Sequence, residues 1–228
     1  VSKGSDVFNR ETPSKLGKME AALEALGRRY SCVIANPPYM GSKKFDAWTS
    51  AWVKDNYPDE KNDLCTCFMH RSLGYSKHNG YAAMITASSW MFISSFEKMR
   101  RNIIDNATIT SMVQLSTHGF PNVTVPTCMW VISPDRQDNK GSYIRLEDFD
   151  RPQWQQPKTL EAIHNPDCGW FYRADQQDFK SIPGWPIAYW ASDGVRAAFK
   201  AFKPLKDIAL PRQGLATGDN DRFLRAWW

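Results

Sequence analysis

One short stretch constrains this chain more than any other. The apolar run Ser31-Cys-Val-Ile-Ala35 reads as a short buried strand, and it stops at Asn36-Pro37-Pro38-Tyr39. Proline has a locked φ and no N–H, so two in succession cannot continue a central strand. The chain must leave the sheet there and turn. A polar amide enters the turn and an aromatic side chain leaves it.

The flanking pattern supplies the sheet. Residues 1–15 are polar and read as loose, and Leu16, Met19, Leu23 and Leu26 then recur at helical spacing up to Gly27. Helical spacing returns over Phe45–Val53 and over Asn62–Ser76, with Leu64, Phe68 and Leu73 as the inward positions. Gly80–Ala87 reads as a strand, Ser88–Ile104 as one amphipathic helix opened by Ser88 or Ser89, and Thr108–Leu115 and Pro126–Ser133 as two further strands. Gly141–Leu146 is a candidate for one more. Alternation of strand and helix from 31 to 115 predicts an α/β chain with a parallel sheet. The last two strands, joined through His118–Val125, predict an antiparallel hairpin at its edge. Beyond about residue 147 the periodicity weakens, proline, tryptophan and glutamine become frequent, and only Ser192–Phe202 reads clearly as a helix. A boundary is expected over 147–158.

In an open parallel sheet, ligands bind beyond the carboxyl ends of the strands. Asn36 brings an amide oxygen to that rim, and Pro37 brings a carbonyl whose direction the ring restrains. Two such acceptors can take both hydrogens of one planar amino group while Tyr39 stacks on the ring bearing it. Methylation of a nucleobase amino group requires this arrangement. The nitrogen lone pair is delocalised, and acceptors that hold both hydrogens draw the nitrogen toward tetrahedral geometry. Fixed dipoles then meet the charge that develops on it. Read blandly, the same four residues are a Pro-Pro loop after a strand.

Asn36-Pro37-Pro38-Tyr39 resembles the (D/N/S)-P-P-(Y/F/W) motif of the S-adenosylmethionine-dependent amino-methylating DNA methyltransferases. Asn62-Asp63-Leu64-Cys65-Thr66-Cys67-Phe68 resembles that family's (D/N)-L-Y-x-x-F helix start, with Cys65 in place of the usual tyrosine. Gly80–Phe92 resembles the strand ending in a Pro/Thr-x-x-(W/F) turn, and Gly119-Phe120-Pro121 resembles the late motif whose aromatic takes the other face of the target base. ANPPYMGSKK resembles the large adenine methyltransferases of phage-growth-limitation (BREX-type) defence systems. The tail from Leu210 to Asn220 resembles the entrance to a target-recognition domain.

The resemblance implies the C-terminal part of a Rossmann-like methyltransferase sheet with an antiparallel edge hairpin, followed by a partly irregular α+β segment. It divides the chain into an N-terminal segment (1–30), a catalytic half (31–147), and a linker with the start of a target-recognition region (148–228). Asn36 to Tyr39 are the implied catalytic residues, with Tyr39 and Phe120 sandwiching an adenine flipped out of double-stranded DNA. Phe120 alternatively reads as a core aromatic at a hairpin turn. Phe68 reads as a wall of the cofactor pocket, beside Asn36, or as plain helix core. Asp63 can be a helix cap, Trp90 reads as structural, and Lys43 and Lys44 suit either phosphates or a solvated helix start. His70, His78, His118 and His164 are scattered and carry no role, and no metal site is expected. Other defence-system proteins are implied partners. A protein-glutamine or RNA methyltransferase, or a non-catalytic docking platform for DNA or protein, is the alternative.

The charge balance permits a polyanion partner without demanding one: 29 Lys and Arg against 24 Asp and Glu give +5. Five cysteines lack paired spacing, which reads as reduced thiols in a cytoplasmic protein. No apolar run reaches the roughly 18 residues of a membrane span. The family's glycine-rich cofactor loop should precede Asn36, yet Gly4, Gly17 and Gly27 are isolated there. Most of the S-adenosylmethionine site is therefore expected upstream of Val1, and Val1 and Trp228 read as cuts. Isothermal titration of the 228-residue chain with S-adenosylmethionine should give no micromolar binding; a micromolar isotherm would refute that expectation.

Overall fold

A computed structural model describes residues 6–121 and 125–209. Helix α1 (Asp6–Gly27) leads into strand β1 (Tyr30–Ala35), a short turn, α2 (Ala47–Asn56), α3 (Leu64–Tyr75) and β2 (Ser76–Ala87). Then come α4 (Glu97–Asn106), β3 (Thr108–Gln114), β4 (Thr127–Ser133), β5 (Gly141–Arg145), α5 (Pro152–His164), β6 (Phe171–Ala174) and α6 (Asp193–Ala201). α1 begins at Asp6, so residues from there on are helical where the sequence reads as loose. The tail from Leu210 lies outside the described residues.

The six strands form one mixed sheet in the order β1-β2-β4-β3-β5-β6. β1 pairs parallel with β2, and β3 pairs parallel with β5. β4 lies antiparallel between β2 and β3. The expected hairpin of β3 and β4 is present, but the sheet does not end at it: β5 and β6 extend it on the far side. β6 and the residues after it also lie beyond the expected 147–158 boundary, yet β6 pairs with β5, and Phe179, Ile187 and Tyr189 share the main core.

Period-two alternation separates the two faces. Ala82, Met84, Met112, Trp130, Ile132 and Tyr143 are buried beneath α3, α4 and the segment around 179–189. Fully burying a large apolar side chain contributes roughly 1.5–3 kcal/mol, so this face carries most of the stability. The opposite face of β1, β2 and β4 is apolar but bare among the described residues: Ile34 is 77% exposed, and Tyr81 and Met129 are also exposed. The sequence reads β1 as buried. It is instead an exposed edge, because it pairs with β2 alone and no described element covers Ile34.

Two helical expectations fail for identifiable reasons. Residues 88–104 are not one helix but two 3-10 turns, Ser88–Met91 and Ser94–Phe96, followed by α4. At ~100° per residue, Trp90, Met91 and Phe96 would spread over most of a helix circumference. The break lets all three be buried. The carbonyls freed by the break find a partner in Arg100, which is 1% exposed. Its Nη1 donates to the Trp90 and Ile93 carbonyls at 2.9 and 2.6 Å. Its Nη2 reaches Gly184 at 2.6 Å, and its Nε reaches Trp185 at 3.1 Å.

α5 stands where the sequence shows no clear helix. Pro152 occupies its first turn, where a missing N–H costs nothing. Pro157 sits inside the helix, where it forfeits one bond to the Gln153 carbonyl. Thr159 also bonds back to the Gln155 carbonyl at 2.7 Å. The helix survives because it is packed: Ala162 is buried with Leu115, Ile144 and Leu146 in a second cluster.

Removing the Arg100 guanidinium takes the donor from the Trp90, Gly184 and Trp185 carbonyls at once. Each costs about 1–3 kcal/mol when left unpaired, so Arg100→Met should lower stability by about 3 kcal/mol or more in urea denaturation. A loss under about 1 kcal/mol would show that these bonds hold little.

Candidate active site

β2 and β3 both run against β4, and β3 runs with β5, so β1, β2, β3 and β5 all end at one rim. Four loops meet there: Asn36–Tyr39, Ser88–Phe92, Leu115–Phe120 and Leu146–Asp150. Asn36 and Pro38 are exposed, Pro37 is buried and Tyr39 is half-buried.

The turn is held at its exit rather than by its own side chains. The Leu64 N–H donates to the Met40 carbonyl and the Ser42 N–H to the Asn62 carbonyl, both at 2.9 Å. Gly41 and Asp63 form an isolated antiparallel bridge. The Asp63 carboxylate meanwhile accepts the Cys65 N–H at 2.9 Å and caps α3. Asp63 is thus the helix cap the sequence allows, and its backbone also anchors the chain just after Tyr39.

Burial pushes the Tyr39 phenol up to about 12, with the Cys65 and Cys128 thiols nearby adding to the rise. Burial raises both of those thiols as well. Near neutral pH all three groups keep their protons, and Tyr39 presents an uncharged ring. Beneath the rim, Thr86 Oγ1 accepts both indole N–H groups of Trp90 and Trp130 at 3.1 Å. Trp90 is fully buried, the structural role its sequence position suggests.

Asn36 opens a hollow of about 570 Å³ over the bare sheet face, lined by Ile34, Ala83, Ile85, Val113 and Met129 among others. Phe120 lines a second hollow of about 610 Å³, against α5, which shares Val113 and Met129 with the first. The two hollows therefore adjoin. The strands that carry them stand three places apart in the sheet, roughly 14 Å, and no ring contact joins Tyr39 to Phe120. Phe120 is half-buried and packs on the second cluster.

Phe68 is elsewhere. It is 41% exposed on α3, not helix core; the inward positions are Cys65, Thr66, Cys67, Met69 and Ser72. Phe68 lines a separate cavity of about 350 Å³ with Leu26, Trp52, Tyr57, Arg71 and Tyr75. Lys43 and Lys44 are exposed in a single 3-10 turn. His70, His78 and His118 each bond a carboxylate, of Glu60, Asp135 and Asp150 in turn, and His164 bonds the Leu160 carbonyl. Among the described residues no group of His, Cys, Asp and Glu is placed to hold a metal ion, and no helix is long and apolar enough to cross a membrane.

With this geometry in view, the comparisons with known proteins agree among themselves. The profile of the Eco57I restriction-modification methylase family matches residues 5–120. The chain is 38% identical over 210 residues to the adenine-specific methyltransferase PglX of Lacticaseibacillus casei (strain Zhang), covering 90% of this chain and 17% of that protein. It is 34% identical over 227 residues to the adenine-specific methyltransferase BrxX of Escherichia coli O9:H4 (strain HS), covering 97% and 18%. The chain thus spans under a fifth of the length of these relatives. The type I restriction-modification methyltransferase subunit from Streptococcus thermophilus shares the fold, with a TM-score of 0.54 at 15% identity over 72% of this chain and 38% of that one.

The corner that anchors the turn also carries a pH-dependent contact. His70 Nδ1 lies 2.9 Å from the buried Glu60 carboxylate, which raises the imidazole above its ordinary value near 6.5. A raised folded-state value means that the contribution is complete below about 6.5 and fades as pH climbs past it. Urea denaturation of His70→Gln should therefore show a larger loss at about pH 6 than at about pH 8.5. Equal losses would mean that no ion pair forms.

Proposed function

The chain belongs to the Eco57I restriction-modification methylase family, and we propose that within the complete protein it forms the acceptor side of an adenine-specific DNA methyltransferase acting in phage defence. The carrying observation is Asn36-Pro37-Pro38-Tyr39 standing at the carboxyl rim of a parallel strand, with its exit pinned to α3.

In this reading the Asn36 amide oxygen accepts one hydrogen of the adenine amino group and the Pro37 carbonyl accepts the other. The turn that carries both acceptors is pinned at its exit, so in this reading they act mainly by orientation. Tyr39 lays its neutral ring on the base. Extruding the adenine from double-stranded DNA costs a few kcal/mol. Stacking returns roughly 1–3 kcal/mol per aromatic contact, and Phe120 approaches from the opposite margin of the joined hollows. The methylated nitrogen sheds its proton to water, so no histidine is needed as a base.

S-adenosylmethionine, when bound, supplies an electrophilic methyl on sulfonium. The residues present fit only a margin of that cofactor. The hollow at Asn36 is lined mainly by apolar residues, with Asn36 and Ser111 the polar ones and no carboxylate to pair with ribose hydroxyls. Phe68, with Trp52 and Tyr57, offers flat rings to an adenine. Asn36, from the first hollow, and Phe68, from its own separate cavity, are the contacts this reading assigns to it. Double-stranded DNA and other defence-system proteins are the proposed partners.

In the complete protein, Asn36→Ala should lower methyl transfer to unmethylated host DNA by about a hundredfold or more. Tyr39→Phe should stay within a few-fold of wild type, while Tyr39→Ala loses about tenfold or more. Methylation-sensitive sequencing of host DNA with and without the gene should reveal methyladenine at a defined site. Its absence, or full activity of Asn36→Ala, would overturn the reading.

A further inference from the structure

The loop that carries Phe120 has no secondary structure of its own, yet it is pressed closely against its surroundings. A Cβ on Gly119 would lie 3.1 Å from the Leu115 Cβ and the Ser116 carbonyl, and 3.3 Å from Gln155 Oε1. The Gly119 N–H closes a turn on the Ser116 carbonyl at 3.0 Å. Gln155, in the first turns of α5, is buried and uses both ends of its amide. Its Oε1 accepts the Ser116 N–H at 3.2 Å. Its Nε2 donates to the Phe149 carbonyl at 2.6 Å and to the Arg151 carbonyl at 3.1 Å. One side chain thus ties the start of the Phe120 loop to the segment that leads into α5. A second brace runs beside it, from His118 Nδ1 to the Asp150 carboxylate at 2.8 and 3.0 Å. The hollow below has the loop as one wall (Gly119, Phe120, Pro121) and α5 as the other (Gln155, Gln156, Leu160).

We propose that Gln155 is a positioning residue, which holds the 116–121 loop in the form that presents Phe120 to the extruded adenine. This rests on the base-stacking role of Phe120. Only a neutral amide suits the place. It must accept from an N–H on one side and donate to two carbonyls on the other. A carboxylate repels both carbonyls, and an aliphatic chain leaves the buried Ser116 N–H without its acceptor and cuts the loop from the Phe149 and Arg151 carbonyls, which keep only their backbone donors. α5 lies beyond the segment matched by the family profile, so its own fold supplies this constraint.

The test uses the complete protein, labelled S-adenosylmethionine and unmethylated host DNA. Gln155→Met keeps the length and removes all three bonds. Its kcat should fall about tenfold through misplacement of the loop, with KM for S-adenosylmethionine unchanged and faster hydrogen exchange over residues 115–120. Gln155→Glu keeps the acceptor for Ser116 but turns an oxygen on the two carbonyls, and it should share the defect. In a Phe120→Ala background, Gln155→Met should cost nothing further, because both changes act through one ring. Equal losses in the two backgrounds, or wild-type transfer by both Gln155 variants, would overturn the positioning role. Wild-type transfer by Phe120→Ala alone would instead overturn the stacking role beneath it.

Discussion

β4 enters the sheet between two strands that run parallel to each other, and the arrangement of the rim results from that insertion. It sets β1 and β3 three places apart, so the loops after them start roughly 14 Å from one another. The space between them becomes a floor made of Ala83, Ile85, Val113 and Met129. Thr86 secures the insertion by accepting an indole N–H from each side, Trp90 from the loop after β2 and Trp130 from β4 itself. A threonine hydroxyl has two acceptor lone pairs, and both are engaged in a site from which water is excluded.

The last part of the described chain is fastened by long polar side chains that end inside the protein. Arg100 gathers carbonyls from the 90–93 and 184–185 stretches, and Gln155 spans the Phe120 loop and the entry to α5. Gln176 accepts the Ile109 N–H at 2.9 Å and donates to the Ile104 and Ala107 carbonyls at 2.9 and 2.7 Å. In each case a side chain bonds backbone at the ends of elements or in the segments between them. An apolar residue could fill the same volume but would leave the Ile109 and Ser116 N–H groups and the Gly184 carbonyl without these partners. This is how irregular segments rich in proline and tryptophan become rigid enough to flank a site.

The sequence makes the site more legible than its surroundings. Two prolines after an apolar run dictate a strand end wherever they occur, and Asp63 before Leu64 marks a helix start by side-chain chemistry alone. The burial of β1 is misleading in sequence because Cys-Val-Ile-Ala looks alike in a central strand and at an edge. Hydropathy does not say how many neighbours a strand has. The break at 88–96 is hidden because it depends on Arg100, whose acceptors at Gly184 and Trp185 lie far along the chain. α5 is hidden because proline at a helix start is favourable, whereas proline in general reads as a breaker. Gln155 carries no signal at all: a glutamine among glutamines, distinguished only by what it reaches.

Arg100 has a further consequence, for the order in which the molecule is made. Its bonds to Gly184 join positions 84 residues apart. While the chain emerges from the ribosome, the guanidinium can close on the Trp90 and Ile93 carbonyls at once, but it must wait for the rest. A charge that stays protonated cannot hide in the meantime, so the loop after β2 stays hydrated until the distant strap arrives. The slowest assembly step of this region is therefore expected to be the docking of residues 184–185, a late and long-range event for which the rim below is already prepared.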